Sequence, residues 1–514
     1  MTKRLQLCVV ILLGFSFACG DDDAPEDRDA AVDAASEDDR ITIHVTQLPV
    51  TTSSYPFGAA DHNRVPMDLD EYGYVEHEFI VSGDAKTYDW PESGGVQERT
   101  EPAPYATRVL VRRPKPGMKA SGRVVVELLN PTNRFDLEIG WALSHDYFMR
   151  SGDVWVGITV KPISVVAMKR FDPQRYAMLS WANPLPETDE RNCEMVAADS
   201  TRATENGLVW DIARQVAAFL RYSSNVLLGP YKVERVYAFG YSQTGGFLGT
   251  YINAIHPLDV KEFGKPLFDG YFIGTYTGMT AINQCATAPR GDRRAELRDV
   301  GVPVMRILTQ SDYILFGAGA RENSAELPDA FWHYEVAGAA HATPAELDFA
   351  PAVADIMKAG VTPPVTECEP MPGQKYPRSP FPLGKVFSAA WANLDRWVVD
   401  GEAPPTAAPI EAAAMMTVLD DHGNAKGGLR TPAVDAPVAT WYGNAAESVT
   451  ANLLCYLAGY EVPFEASKLQ ALYPSHDDYV AKVRASADAA VEGRFLLRED
   501  ADAIVSEAEG APVP

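Results

Sequence analysis

The chain has 514 residues, of which 46% are hydrophobic and 22% are charged, and its formal net charge at pH 7 is −25. This length could hold two or three domains. The acidic balance argues against nucleic acids and other anionic polymers as partners, and we interpret the excess charge as a contribution to solubility.

The first 19 residues are typical of an export signal. Two basic residues precede an apolar run at 5–13, which is too short to span a bilayer as a helix. The run closes at Cys19, which is similar to the modified cysteine of bacterial lipoproteins, although Phe17 is bulky and Ser16 replaces the usual leucine. We predict a protein of the bacterial cell envelope that meets the membrane only through a lipid on Cys19 and faces the periplasm or the cell surface. The alternative is plain secretion.

Residues 20–40 are rich in Ala and Asp and contain almost no large apolar side chain. Such a segment cannot bury a core, so we predict a disordered acidic tether. The remainder, 41–514, shows no dividing linker and no internal repeat, which predicts one domain with an N-terminal β region at 44–113. Two long irregular segments, 171–201 and 344–382, are expected to form a cap over an active site, or else only to pad the surface.

Six apolar, β-branched segments predict the central strands of an α/β fold, at 123–129, 154–161, 233–239, 268–274, 302–308 and 331–336. Helices are predicted at 207–221 and at 247–255, and His256 with Pro257 is expected to end the second.

The most informative motif lies between the strand at 233–239 and the helix at 247–255. There Gly240, Tyr241 and Ser242 form a Gly-X-Ser turn, the context of a nucleophile elbow. The tight turn requires a tiny residue two positions before the serine, and Gly240 meets that need. Thr244 stands where glycine is usual, but Gly245 and Gly246 follow at once. The alternative is a glycine-rich turn with a structural serine.

A serine hydroxyl needs a base to take its proton and an acid to orient that base. Of the five histidines after Ser242, only His341 follows a predicted strand through a turn of small residues. Asp312 follows the preceding strand and is the predicted acid. Glu322 is the second choice, and Asp348 is third because it comes after the histidine.

Acyl transfer also needs two N–H donors for the oxyanion. The first is expected from the backbone of Gln243, the residue after the serine. The second should come from the loop after the strand at 123–129, where Pro131 has no N–H to donate. Thr132 is the predicted donor and Asn133 the second choice.

The elbow and several other stretches resemble the bacterial "alpha/beta hydrolase domain" group of serine hydrolases. The resemblance extends over about 41–508 and rests on the stretches at 73–78, 233–257, 334–342, 394–401 and 423–432. It implies an α/β-hydrolase fold, with a mostly parallel central sheet, helices on both faces and long insertions around the active site. It further implies that Ser242 and His341 belong to a triad with Asp312 as the acid, and it does not imply a substrate.

Four cysteines lie in the body of the chain and are expected in an oxidising compartment. We predict a bridge between Cys285 and Cys368 that holds the cap, with Cys193 as the rival partner for either. Cys455 lies in an apolar helical stretch and is interpreted as a buried thiol. No spacing of Cys and His suggests a metal and no glycine-rich loop suggests a nucleotide, so we expect neither metal nor cofactor.

These patterns favour a serine esterase that hydrolyses a small or oligomeric carboxylic ester through an acyl-enzyme. An amidase, a lactonase or a hydrolase of polyester oligomers would use the same three residues. A catalytically silent lipoprotein that binds a ligand in the old cleft is the alternative from another class.

Overall fold

The computed structural model describes residues 33–35, 41, 43–193, 201–223, 225–276, 278–313, 321–413, 416–446 and 452–514. The predicted signal at 1–19, its Cys19 and most of the tether at 20–40 lie outside these residues. In the part of the chain that is described, no helix has the length and apolar character needed to cross a bilayer.

A ten-stranded sheet forms the centre of the molecule. Its strands are β1 (Asp33–Ala35), β2 (His44–Leu48), β3 (Tyr74–Ala85), β4 (Ala103–Pro114), β5 (Arg123–Leu128), β6 (Val154–Ile158), β7 (Arg235–Tyr241), β8 (Gly270–Gly274), β9 (Val304–Thr309) and β10 (Phe331–Val336). Their spatial order is β1-β2-β3-β4-β6-β5-β7-β8-β9-β10.

The six strands β5 to β10 run parallel. β1 to β4 pair antiparallel with their neighbours, and β4 pairs antiparallel with β6. The parallel strands are buried on both faces, which explains their continuous apolar runs. Because the carboxyl ends of parallel strands share one edge, the loops after β5, β7, β9 and β10 meet there. The predicted α/β-hydrolase fold is confirmed.

Asp33–Ala35, within the segment expected to be disordered, form a strand. β1 lies within 20–40 and pairs antiparallel with β2, with Asp33 opposite Thr46. Edge pairing uses only backbone N–H and C=O groups, so it does not require the large apolar side chains that this segment lacks.

Helices cover both faces of the sheet, as neighbouring residues on β8 show. The Phe272 ring stacks on Phe387 at 5.1 Å, whereas the Tyr271 hydroxyl lies 2.7 Å from His256 Nδ1 on the opposite face. The helices are α1 (Ile139–Ser151), α2 (Pro162–Phe171), α3 (Val209–Tyr222), α4 (Asn225–Leu228), α5 (Gln243–Thr250), α6 (His256–Phe263), α7 (Pro344–Asp348), α8 (Val353–Lys358), α9 (Leu383–Asp400), α10 (Pro432–Asp435), α11 (Leu453–Ala458), α12 (Ala466–Leu472), α13 (His476–Glu492) and α14 (Arg498–Glu509).

The predicted end of the helix at His256 and Pro257 is wrong. A π-helical segment, Tyr251–Ile255, leads from α5 directly into α6, which begins at His256. Pro257 lies in the first turn of α6, where a missing backbone N–H removes no helical hydrogen bond.

Short two-stranded pieces and 3₁₀ turns complete the described fold. The pieces pair Tyr88–Asp89 with Gln97–Glu98, Glu367–Met371 with Gln374–Pro377, Ala412–Ala413 with Met416–Thr417 and Ala439–Tyr442 with Tyr460–Pro463. The 3₁₀ turns are Ala60–His62, Leu69–Tyr72, Asn206–Leu208 and Arg293–Ala295.

The predicted bridge between Cys285 and Cys368 is wrong, although both residues are in disulfides. Cys193 pairs with Cys285 at a Cα–Cα distance of 5.6 Å, and Cys368 pairs with Cys455 at 5.5 Å. Cys455 is therefore not a free thiol. The two insertions pack against different neighbours: Arg191 and Cys193 lie against the segment after β8, and the hairpin strand Glu367–Met371 lies against α11. A bridge forms only where Cα atoms approach within about 7 Å, a distance the sequence does not reveal.

Candidate active site

Ser242 stands between the end of β7 and the start of α5. Its backbone has φ 54° and ψ −118°, a conformation that costs energy for any residue with a side chain. Its N–H donates to the carbonyl of Gly274 at 2.9 Å, which fixes the turn against β8. A Cβ at position 240 would lie 2.2 Å from the carbonyl oxygen of Thr244, so only glycine fits there. The local sequence thus forces the strained turn expected of a nucleophile elbow.

The contacts of Thr244 account for a threonine where the usual motif has glycine. Its side chain is buried, and its hydroxyl lies 3.1 Å both from the backbone nitrogen of Tyr241, which donates to it, and from the Tyr241 oxygen, to which it donates. The close approach to β8 falls instead on Gly245, where a Cβ would lie 3.1 Å from the carbonyl oxygen of Gly274. Threonine therefore closes the turn, and the following glycine supplies the space.

The structure brings Asp312 and His341 together at the carboxyl ends of β9 and β10. His341 Nδ1 lies 2.7 Å from Asp312 Oδ1, and the Asp312 side chain is 0% exposed. The backbone N–H and the hydroxyl of Thr309 both donate to the other carboxylate oxygen. Glu322, the second choice for the acid, is exposed. Of the candidate acids, Asp312 is the one that bonds to the histidine.

Two side chains that the sequence analysis did not single out hold the backbone of His341. The His341 N–H donates to Ser311 Oγ at 3.1 Å, and the Tyr241 hydroxyl donates to the His341 carbonyl at 2.6 Å. The rings of Tyr241 and His341 also meet edge to face, with centroids 5.2 Å apart. Because Tyr241 directly precedes Ser242, it joins the elbow to the histidine loop.

The charges around His341 favour its protonated form. Burial lowers the pKa of the imidazole, but the carboxylates of Asp312 and Glu346 outweigh burial and raise the pKa above its ordinary value. Among the described residues no hydrogen bond joins the Ser242 hydroxyl to His341. In free enzymes such bonds are often long and close only when substrate binds.

The turn after β5 lies beside the elbow. Asn130 Nδ2 donates to the Tyr241 carbonyl at 2.8 Å, and Thr132 Oγ1 lies 3.4 Å from Gln243 Oε1. The Thr132 N–H, however, already donates to Asn130 Oδ1 at 2.9 Å, which disfavours Thr132 as an oxyanion donor. Asn133, the second choice, is the next residue of this turn, and Gln243 opens α5, where backbone N–H groups lack helical partners.

Buried ion pairs anchor the rest of this turn. Arg108 Nη2 lies 3.1 Å from Asp136 Oδ2, and Arg112 Nη1 lies 2.8 Å from Glu138 Oε1. All four residues are buried, and burial raises the pKa of Glu138 to about 7 although Arg112 opposes the shift. Sequence reasoning missed these pairs. Arg108 and Arg112, set among the apolar residues of β4, were the available signal, since arginine is seldom buried without a partner.

The second disulfide supports the histidine loop. Cys455 lies on α11, and the Leu457 carbonyl on the same helix accepts the Ala342 N–H at 2.9 Å. A small apolar cluster that includes Ala342, Cys368 and Cys455 fills the space between α11 and this loop. Nothing in the local sequence around His341 indicates this support.

No group of three or more His, Cys, Asp or Glu side chains in the described ranges is arranged to hold a metal ion. The site described above combines a serine, a buried carboxylate–imidazole pair and backbone N–H groups. Such a set can supply a nucleophile, a general base and an oxyanion site.

Comparisons with solved structures find matches of low similarity. A Klebsiella pneumoniae protein assigned as a dienelactone hydrolase is 12% identical, with a TM-score of 0.26 over 55% of this chain and 95% of its own. A thermostable esterase from Pseudomonas putida is 12% identical, with a TM-score of 0.26 over 58% and 82%. A Lactobacillus plantarum carboxylesterase is 8% identical, with a TM-score of 0.25 over 44% and 72%.

No curated protein matches the chain. The family model described as "Alpha/beta hydrolase domain" matches residues 44–506, which is most of the sequence and includes every residue of the candidate site. Taken with the strand order and the elbow, this match shows that the chain belongs to the alpha/beta hydrolase domain family.

Proposed function

We propose that this hydrolase is a serine esterase that cleaves a carboxylic ester through an acyl-enzyme. The observation that carries the proposal is the buried 2.7 Å contact between Asp312 and His341, at the edge of the sheet where Ser242 occupies a strained elbow. A neutral serine hydroxyl is a poor nucleophile, and this arrangement provides the base and the orienting acid that it needs.

In the proposed reaction the Ser242 oxygen attacks the ester carbonyl while His341 Nε2 takes the hydroxyl proton. Asp312 holds the proton on Nδ1 and stabilises the imidazolium that forms. The negative charge on the carbonyl oxygen is bound by the N–H of Gln243 and, as the second donor, by that of Asn133. The tetrahedral adduct then expels the alcohol, which receives its proton from His341, and the acyl group remains on Ser242.

Water completes the cycle by the same steps. His341 takes a proton from a water molecule, whose oxygen attacks the acyl-enzyme carbonyl. The second adduct expels the Ser242 oxygen, which regains its proton from His341, and the carboxylic acid leaves. An ester is the favoured substrate because its alcohol leaves more readily than an amine does. Amide, lactone and polyester-oligomer hydrolysis would use the same residues.

The test compares Ser242→Ala with Ser388→Ala in the purified protein. Ser388 is a buried serine on α9, where its hydroxyl donates to the Gly384 carbonyl at 3.1 Å, and it serves as the matched control. Hydrolysis of a short p-nitrophenyl ester should be abolished by the first change and retained by the second. A fluorophosphonate probe should label the wild-type protein and not the Ser242→Ala variant.

Labelling that persists in Ser242→Ala would exclude Ser242 as the nucleophile. A wild-type protein that is folded but hydrolyses no member of a panel of esters, amides and lactones would favour the silent ligand-binding alternative. In an active wild-type protein, the rates measured with the same panel show which acyl and alcohol groups the enzyme prefers.

We further propose that the enzyme works outside the cytoplasm, anchored through Cys19. The two disulfides support an oxidising compartment, because structural disulfides are rare in reducing ones. Mass spectrometry of the mature N-terminus should find an acylated Cys19, and Cys19→Ser should move the protein to the soluble fraction. Unmodified wild-type protein in that fraction would favour plain secretion.

A further inference from the structure

A second buried carboxylate lies on the histidine loop, at the start of α7. Glu346 is 9% exposed, and its Oε1 accepts the Thr343 N–H at 3.0 Å. Thr343 is the N-cap of α7 and stands two residues after His341. The side chain of Glu346 therefore folds back toward the loop that carries the histidine.

A buried arginine completes the arrangement. Arg378 is 4% exposed and places Nη1 3.6 Å from Glu346 Oε2. The same nitrogen donates to the Thr343 carbonyl at 3.4 Å, while Nη2 donates to the Val365 carbonyl at 3.0 Å. Glu346 and Arg378 thus form a buried pair of opposite charges against the loop between His341 and α7.

We propose that Glu346 and Arg378 are positioning residues that set the pH range in which His341 acts as the base, with Glu346 favouring its protonated form and Arg378 opposing it. This inference rests on the proposed function of His341. Glu346 acts through its charge, because Oε1 is bonded to Thr343 and Oε2 faces Arg378, whereas Asp312 alone bonds to the ring.

The pKa shifts of His341 and Glu346 have the directions that this proposal requires. Burial lowers the pKa of His341, Asp312 and then Glu346 raise it, and Arg378 lowers it. Burial raises the pKa of Glu346, and both Arg378 and His341 lower it. From the other elements packed here, the Tyr241 hydroxyl bonds to the His341 carbonyl. Burial and then the Asp312 charge raise the pKa of Tyr456 on α11, whereas burial and the Arg64 charge lower the pKa of Arg378 against the effect of Glu346.

The experiment measures kcat/KM for a p-nitrophenyl ester against pH in Glu346→Gln and Arg378→Gln. The base must be neutral to act, so the acid limb of this profile reports the pKa of His341 in the free enzyme. Loss of the Glu346 charge should move the limb to lower pH, and loss of the Arg378 charge should move it to higher pH, each by about 0.5–1 unit. Glutamine keeps an oxygen for the Thr343 N–H, so the cap of α7 survives in the first variant.

Opposite shifts separate this role from a purely structural one, because a residue that only braces the loop would lower kcat without moving the limb. Asp153→Asn is the matched control. Asp153 is also buried and paired, at 2.8 Å from Arg123, but it lies at the opposite edge of the sheet, where β6 begins. It should lower the melting temperature and leave the limb in place.

Limbs that stay at the wild-type pH in both folded variants, or that move in the same direction, would overturn the inference. If neither single variant folds, the double variant, which buries no unpaired charge, carries the test. Its limb should still lie below that of the wild type, because Glu346 acts on His341 more strongly than Arg378 does. An unshifted limb there would also overturn it. Full activity of Ser242→Ala would instead reject the proposed function itself.

Discussion

The turn around Ser242 is closed mainly by its own neighbours in the chain, with a distant hydrogen bond to the Gly274 carbonyl, whereas His341 is held mainly by residues far away in the sequence. The elbow is closed by Gly240 and Thr244, both within two residues of the serine. The histidine depends on Asp312 for its ring and on Ser311 for its backbone N–H, and both lie about 30 positions earlier. The loop that carries His341 also bonds to α11, more than 110 positions later along the chain, through the Ala342 N–H and the Leu457 carbonyl.

This difference assigns different weaknesses to the two halves of the candidate site. The serine half is formed wherever β7 and α5 form, because the turn between them has few other conformations. The histidine half requires that several distant segments pack correctly at the same time. Damage to remote contacts should therefore reduce catalysis through His341 before it affects Ser242.

The largest effect is expected from Asp312→Asn, which breaks the histidine half at its centre. An amide at this position would donate to Nδ1 instead of accepting from it, so the ring would hold the wrong tautomer, and kcat should fall by about 10⁴-fold. Glu322→Gln, a change at an exposed carboxylate, is the control and should leave kcat unchanged. If Glu322→Gln is the damaging change and Asp312→Asn is mild, the assignment of the acid moves to Glu322.

The two disulfides allow a sharper comparison, because they close loops of almost equal size. Their sequence separations are 92 residues for Cys193–Cys285 and 87 for Cys368–Cys455. Replacing either pair by serine should therefore return a similar entropy to the unfolded chain and lower the free energy of unfolding by about 4.6 kcal/mol. Only the second bridge supports α11 under the histidine loop. Its loss should lower kcat by about 10-fold, whereas loss of the first, which joins Cys193 to the segment after β8, should change kcat less.

Melting temperatures and steady-state kinetics of the two double variants measure this difference. Equal falls in kcat would show that the second bridge has no special link to His341. A large fall in kcat for the Cys193–Cys285 variant alone would reverse the comparison and place the sensitive support at the first disulfide.

The same division explains what the sequence could predict. The elbow, the strands that lead to Asp312 and His341, and the fold itself follow from local patterns of apolar residues and glycine. The pairing of the cysteines does not, because it depends on which insertion packs against which neighbour. The Thr132 prediction overlooked a local signal, because an asparagine side chain often accepts the backbone N–H two residues later, as Asn130 does from Thr132.

The buried ion pairs could not be predicted from the sequence for a related reason. Arg108 and Asp136 lie on β4 and in the turn after β5, and nothing in either segment names the other as its partner. Glu346 reads as an ordinary first-turn carboxylate of a helix, since its contact with Arg378 joins segments 32 positions apart. The periodicity of apolar residues identifies helices and strands, whereas polar contacts between distant segments can be recognised only in the assembled fold.

The smallest effect on kcat is expected when the buried hydroxyl of Ser311, in the histidine half, or that of Thr244, in the serine half, is removed. Ser311 Oγ accepts the His341 N–H and donates to the Gly443 carbonyl, whereas Thr244 Oγ1 bonds only to the backbone of Tyr241 within its own turn. Ser311→Ala and Thr244→Val should each lower the free energy of unfolding by about 1–3 kcal/mol, because each leaves buried backbone groups without partners. Ser311→Ala should also lower kcat several-fold, and more than Thr244→Val does, since Ser242 keeps its position through the fixed backbone of the elbow. Denaturant unfolding and kcat, measured on both variants, check the order. A larger loss of kcat in Thr244→Val would mean that the elbow needs its threonine as much as the histidine loop needs its distant supports, and the contrast between the two halves would fail.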